Sequence, residues 1–172
     1  MTVHGGAAPV AAFAQAAAER LVPAAVASGV LVGVGIDAVD VDRFRLVLSR
    51  RAHLVDRLFT EGERRYARAA HDPVPRLSTR FAAKEATMKA LGVGLGAFRF
   101  DEVEVIRDGL EAPSLVLHAS AADLAGRAGV CRWHLSLTHT DHVAVAMVIA
   151  VGGTAATGVP GTVGSADGPS RP

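Results

Sequence analysis

From residue 21 to residue 36 the chain carries no charged side chain, and what those sixteen residues can become limits the fold more than any other feature. A helix that crosses a bilayer needs about 20 mainly apolar residues. This stretch is shorter, and Pro23, Ser28, Gly29, Gly33 and Gly35 interrupt it, so no membrane span is expected. Its last part, residues 30–36 (VLVGVGI), is continuous, apolar and rich in β-branched side chains. That pattern predicts a buried strand with Asp37 at its carboxyl end.

The 172 residues suit one domain. Residues 1–29 are an Ala-rich extension without chemistry. Residues 152–172, dense in Gly, Pro, Ser and Thr, are expected to be disordered because they cannot offset the entropy of ordering. The working domain is then residues 30–151. Apolar residues at Phe44, Val47, Leu48, Val55 and Leu58 predict an amphipathic helix over 41–59. Thr60 and Glu63 have capping-box spacing ahead of a short helix ending near Ala70. Beyond Pro73 and Pro75, Ser78 is read as the cap of a helix that runs to Leu91 and ends at Gly92. Alternation over 102–106 and 114–118 around Asp108-Gly109 predicts a hairpin, with a short helix after Ser120. Trp133, Leu135 and Leu137 share one face of a strand that turns at Thr140-Asp141 into a last strand over 143–149. The fold class is α+β, a small mostly antiparallel sheet packed with helices.

Half of the residues are hydrophobic but only 5% are aromatic, so the core must be built from small aliphatics. With 18 Lys+Arg against 17 Asp+Glu there is no overall field to hold a polyanion, which argues against nucleic acid as a partner. Cys131 is the single cysteine, and Glu19-Arg20 breaks any signal-peptide core, so a reducing cytoplasm is the expected compartment.

Several familiar motifs fail. Gly33-x-Gly35 lacks the third glycine of a dinucleotide fingerprint, and neither lysine follows a glycine as a P-loop requires. His139, Asp141 and His142 have the chemistry of metal ligands but crowd into one tight turn. Ser136, His139 and Asp141 lie too close in sequence to indicate a catalytic triad. Lysine usage is more informative: only Lys84 and Lys89 are lysine among the 18 basic residues, and both fall in residues 80–89 (RFAAKEATMK). Lysine is a compact point charge whose protonation can change, unlike arginine. Spacing alone allows a surface ion pair between Glu85 and Lys89 contributing about 0.3–0.5 kcal/mol. Phe81, Met88 and Leu91 bring the apolar side of the helix close to Glu85, so these charges are expected to border a cleft.

Three separated motifs, residues 33–43 (GVGIDAVDVDR), 80–94 (RFAAKEATMKALGVG) and 135–139 (LSLTH), together with Leu58-Phe59-Thr60 and Glu63, resemble the holo-acyl carrier protein synthase family of 4'-phosphopantetheinyl transferases. The resemblance runs from about Leu31 to Ile149. It implies a magnesium-dependent transfer of the phosphopantetheine arm of coenzyme A to a serine of an apo acyl carrier protein, releasing adenosine 3',5'-bisphosphate. It also implies Asp37 and Glu85 as magnesium ligands and, with Lys89 and His139, as the catalytic set. Coenzyme A would be bound by Arg80, Lys89, Gly92, Gly94 and His139, with Lys89 assisting the departing phosphate. Asp37, Glu85 and water all remain open as the general base. The stripe Arg43, Val47, Arg50, Arg51 and Leu54 would dock an acidic carrier. Family members of this size are typically homotrimers with sites between subunits. The chain departs from the family at Val93, usually Thr, and at Val143, commonly aromatic, and it carries two terminal extensions. A carrier-docking module without catalysis would tolerate loss of Asp37 and Glu85 but not of Arg50 and Arg51. A third reading is another magnesium-dependent nucleotide enzyme on the same fold.

Overall fold

The computed structural model describes residues 29–153 other than Asp108 and Leu110. The Ala-rich extension and the tail from residue 154, with its expected disorder, lie outside the described residues. Strand β1 (Val30–Asp40) pairs antiparallel with β5 (Val143–Gly152), which pairs antiparallel with β4 (Val130–His139), giving the order β1-β5-β4. Gly152, read as the start of the tail, is the last residue of β5 and lies opposite Val30. β1 runs three residues past Asp37, so this aspartate sits inside the strand rather than at its end.

Helix α1 (Val41–Arg50) follows at once, because Asp40 caps it by accepting from the Arg43 backbone N–H at 2.9 Å. The helix expected over 41–59 is two. Arg51 leaves helical geometry at φ −140° and ψ 66°, and α2 (His53–Leu58) begins afresh. The break lets Leu54, Val55 and Leu58 pack on the same core as Phe44 and Leu48, which one straight helix would have to reach over nearly five turns. Helix α3 (Glu61–Arg68) opens with the expected capping box between Thr60 and Glu63.

Helix α4 (Val74–Ala90) begins four residues before Ser78. Proline is tolerated in a first turn, whose N–H groups lack partners anyway, and Asp72 satisfies the Val74 N–H at 3.0 Å. Ser78 is therefore no cap but a buried residue within the helix. A two-stranded hairpin, β2 (Val103–Ile106) with β3 (Ser114–Leu117), forms a second sheet, and α5 (Ala119–Arg127) follows it.

α4 lies against β1 at a distance only glycine permits. A Cβ on Gly35 would stand 1.8 Å from the Ala86 carbonyl oxygen, and one on Gly33 would stand 2.0 Å from that of Ala90. Ala82, Ala83, Ala86 and Ala90 of α4 share the main core with Ala144, Ala146, Val148 and Ala150 of β5, and Trp133, Leu135 and Leu137 of β4 pack onto it as expected. Among the described residues the other side of β1 is bare: Val34 and Ile36 are each 44% exposed. A continuous apolar run reads as buried on both faces, but here only one face is covered. Among the described residues no helix is long and apolar enough to cross a membrane.

Candidate active site

The close approach of β1 and α4 at Gly35 places Asp37, one pleat further on, beside the last turns of α4. Lys89 Nζ donates to Asp37 Oδ1 at 2.8 Å and to the Ile36 carbonyl at 2.9 Å. The Glu85–Lys89 ion pair allowed by spacing does not form, because Lys89 reaches across to β1 instead. Glu85 is half-buried, and among the described residues no hydrogen bond reaches its carboxylate. Burial pushes its pKa up and the charge of Asp37 adds to the rise, while Lys89 opposes it. The two carboxylates are thus near enough to repel, with one ammonium at their side.

Two hard carboxylates whose charges act on each other fit a divalent cation such as magnesium, which takes about six oxygens and leaves the remainder to water and substrate phosphates. Among the described residues no three His, Cys, Asp or Glu side chains gather as a metal centre. His139, Asp141 and His142 therefore form none, and His142 Nδ1 lies 3.0 Å from Asp42 Oδ2.

Glu85 lines an apolar groove of about 570 Å³ together with Arg43, Phe44, Val47, Leu54 and Phe81. Phe81 stacks on Phe44 at 5.0 Å and on Phe100 at 5.3 Å between ring centroids, which stiffens one wall. Arg43, Val47 and Leu54 of the basic stripe thus meet Glu85 in one groove. Arg50 and Arg51, exposed at the end of α1, line none of the described cavities.

Arg80 and His139 share a different cavity, of about 630 Å³. Arg80 is 3% exposed, its guanidinium lies 4.0 Å from the centroid of the Tyr66 ring, and among the described residues its buried Nε has no partner. Burial lowers its pKa, and Glu63 and Tyr66 oppose that. Arg76 stands 4.7 Å from the same ring centroid, and Arg107 donates to the Tyr66 hydroxyl at 3.4 Å. Burial would raise the Tyr66 pKa, but the Arg107 hydrogen bond and three guanidinium charges outweigh it and bring it below the usual phenol value. Sequence reasoning missed Tyr66, Arg76 and Arg107. The spacing of Arg76 and Arg80 along α4 was the only sign, since the third arginine arrives from another element. Gly92 and Gly94 lie in the turn after α4, where Gly92 adopts φ +67° and, among the described residues, no atom beyond the immediate chain neighbours lies within 4 Å of either missing Cβ.

A family model for the 4'-phosphopantetheinyl transferase superfamily matches residues 33–148. The chain belongs to that superfamily. It is 48% identical over 120 residues to the holo-[acyl-carrier-protein] synthase of Frankia casuarinae, covering 70% of this chain and 97% of the relative. The fold agrees with the crystal structure of the Neisseria meningitidis holo-[acyl-carrier-protein] synthase, with TM-score 0.65 and 29% identity over 70% of this chain and 98% of that one. It also agrees with a Bacillus anthracis holo-(acyl-carrier-protein) synthase in complex with CoA (3',5'-ADP), with TM-score 0.59 and 31% identity over 71% and 97%. As a holo-acyl carrier protein synthase-type phosphopantetheinyl transferase, the chain is an enzyme of α+β fold, as its motifs implied. At the position of the family threonine, Val93 packs into the second apolar cluster with Met88 and Phe98.

Proposed function

We propose that this enzyme transfers the 4'-phosphopantetheine group of coenzyme A to a serine hydroxyl of an apo acyl carrier protein in a magnesium-dependent reaction that releases adenosine 3',5'-bisphosphate. The observation that carries it is that the charge of Asp37 on β1 acts on Glu85 of α4, with Lys89 bonded to Asp37 and Glu85 lining a groove with Arg43. Similarity to synthases that act on acyl carrier protein, one of them in complex with CoA (3',5'-ADP), supports the substrates.

Asp37 and Glu85 would hold the magnesium. When bound, the ion supplies neutralisation of charge on the bridging and leaving phosphate oxygens. Lys89, exposed and held by one carboxylate and one carbonyl, exchanges those contacts for the departing phosphate. Asp37 or Glu85, directly or through a water, accepts the proton of the serine hydroxyl. Arg80, with an unpartnered buried Nε, and His139 bind phosphates of coenzyme A. Gly92 and Gly94, in the turn after α4, leave the backbone open to another part of coenzyme A. Arg43, Val47 and Leu54 in the groove, extended by Arg50 and Arg51, dock an acidic face of the carrier. None of the described cavities holds both Glu85 and His139, and Val34 and Ile36 are exposed on the bare face of β1. Both observations support a homotrimer in which one substrate spans two copies. The lone Cys131 supports a cytoplasmic location.

Incubation with coenzyme A, magnesium and an apo carrier protein should raise the intact mass of the carrier by one phosphopantetheine. Glu85→Gln should fold and leave the carrier mass unchanged. Unmodified carrier with the native enzyme, across carriers from fatty acid, polyketide and peptide synthases, would contradict the proposal.

A further inference from the structure

Lys84, the second of the two lysines, takes no part in the site described above. It is completely buried and so is its partner, Glu63, with Lys84 Nζ 2.8 Å from Glu63 Oε2. All three donors of the ammonium are used, since Nζ also donates to the carbonyl of Phe100 at 2.9 Å and to that of Val103. The carboxylate is equally engaged: Oε2 accepts from the Thr60 N–H and Oε1 from the Val105 N–H, each at 3.0 Å. One knot thus ties the start of α3, the entry to β2 and the middle of α4. Burial lowers the pKa of Lys84 against the pull of Glu63. Replacing such a pair by apolar residues is often neutral or stabilising, so stability alone gives little reason for charge here. Directional bonds do what apolar contact cannot, which is to fix rotation and register.

Rotation of α4 matters because Glu85 follows Lys84 directly, about 100° further round the helix, and Lys89 lies about 140° round from Lys84. On the opposite side, α4 meets β1 through bare backbone at Gly33 and Gly35, and its side-chain hydrogen bonds to β1 there come from Lys89, which is half exposed and gives them up in the proposed reaction. We propose that Lys84 and Glu63 are positioning residues for the reaction, fixing the rotation of α4 so that Glu85 faces Asp37. This rests on reading Glu85 and Asp37 as the divalent-metal ligands.

The test uses the full chain with Lys84→Met combined with Glu63→Gln, and separately Glu63→Asp, which keeps the charge but withdraws it by one methylene. Native circular dichroism is required of each. Mn²⁺ affinity is read from the electron paramagnetic resonance signal of free Mn²⁺ in the presence of coenzyme A, and kcat and KM for the apo carrier are measured alongside. Expected are Mn²⁺ binding weaker by about 10-fold, kcat lower by about 100-fold, and a KM for the carrier near that of the unaltered enzyme. A folded double variant with native Mn²⁺ affinity and kcat would overturn the proposal, as would a rise in KM with kcat intact. If neither variant folds, the pair is needed for folding rather than placement, and the proposal is likewise overturned. Failure of the unaltered enzyme to bind Mn²⁺ would instead remove the metal reading beneath it, so the two failures are distinguishable.

Discussion

Helix α4 carries two lysine–carboxylate pairs of the same length and opposite surroundings. Lys84–Glu63 spans 2.8 Å with both side chains at 0% exposure, whereas Lys89–Asp37 spans 2.8 Å with Lys89 52% and Asp37 11% exposed. In the interior every donor must find a partner and removal of either charge strands the other, so the first pair is fixed. Around the half-exposed Lys89 water can stand in for a lost partner, so Lys89 can leave Asp37 as its proposed role at a phosphate requires. Equal distance therefore says nothing about role; solvent access decides it.

The largest effect separating the pairs should come from Lys84→Met alone, which leaves the Glu63 carboxylate buried without its cation and should cost about 3–5 kcal/mol in urea unfolding. A loss below about 1 kcal/mol would break the contrast. Next, Gly35→Ala should cost about 1–3 kcal/mol by overpacking, since its Cβ meets the Ala86 carbonyl oxygen at 1.8 Å. It should also slow transfer, because α4 must move away from β1 and take Glu85 from Asp37; thermal unfolding and carrier mass read the two effects. Lys89→Met should cost less than Lys84→Met, about 1 kcal/mol, because Lys89 is half in water although Asp37 is only 11% exposed, while transfer falls sharply.

The smallest effect belongs to a fully exposed pair, His142 with Asp42. The Asp42 hydrogen bond, then its charge, raises the pKa of His142. A base whose pKa is raised on folding contributes stability that is present below its unfolded pKa and lost as pH rises through the folded value. Histidine titration by nuclear magnetic resonance should place His142 above an ordinary histidine, and Asp42→Asn should bring it down. An unchanged midpoint in that variant would show that the exposed pair does not form.

These pairs also mark how far the sequence could be read. Asp37, Glu85 and Lys89 were legible because they lie within short motifs, and the capping box at Thr60 was legible because it is local. Glu63 was read as a capping residue and as part of the family pattern but not as the partner of Lys84, since that bond closes across 21 residues and leaves no periodic trace beyond the rarity of lysine. The helix break at Arg51 was hidden because apolar spacing continues through it. Ser78 was misplaced because prolines were taken as a stop, although a first helical turn accommodates them. The bare face of β1 was misread because an apolar run does not reveal how many layers cover it.

In the proposed enzyme β1 and α4 bring Asp37 and Glu85 together around one divalent ion. Anomalous scattering from a crystal grown with Mn²⁺ and coenzyme A tests it most directly. The predicted result is an ion coordinated by both carboxylates and by phosphate oxygens of the substrate. An ion bound elsewhere, with Asp37 and Glu85 both free of it, would contradict the claim.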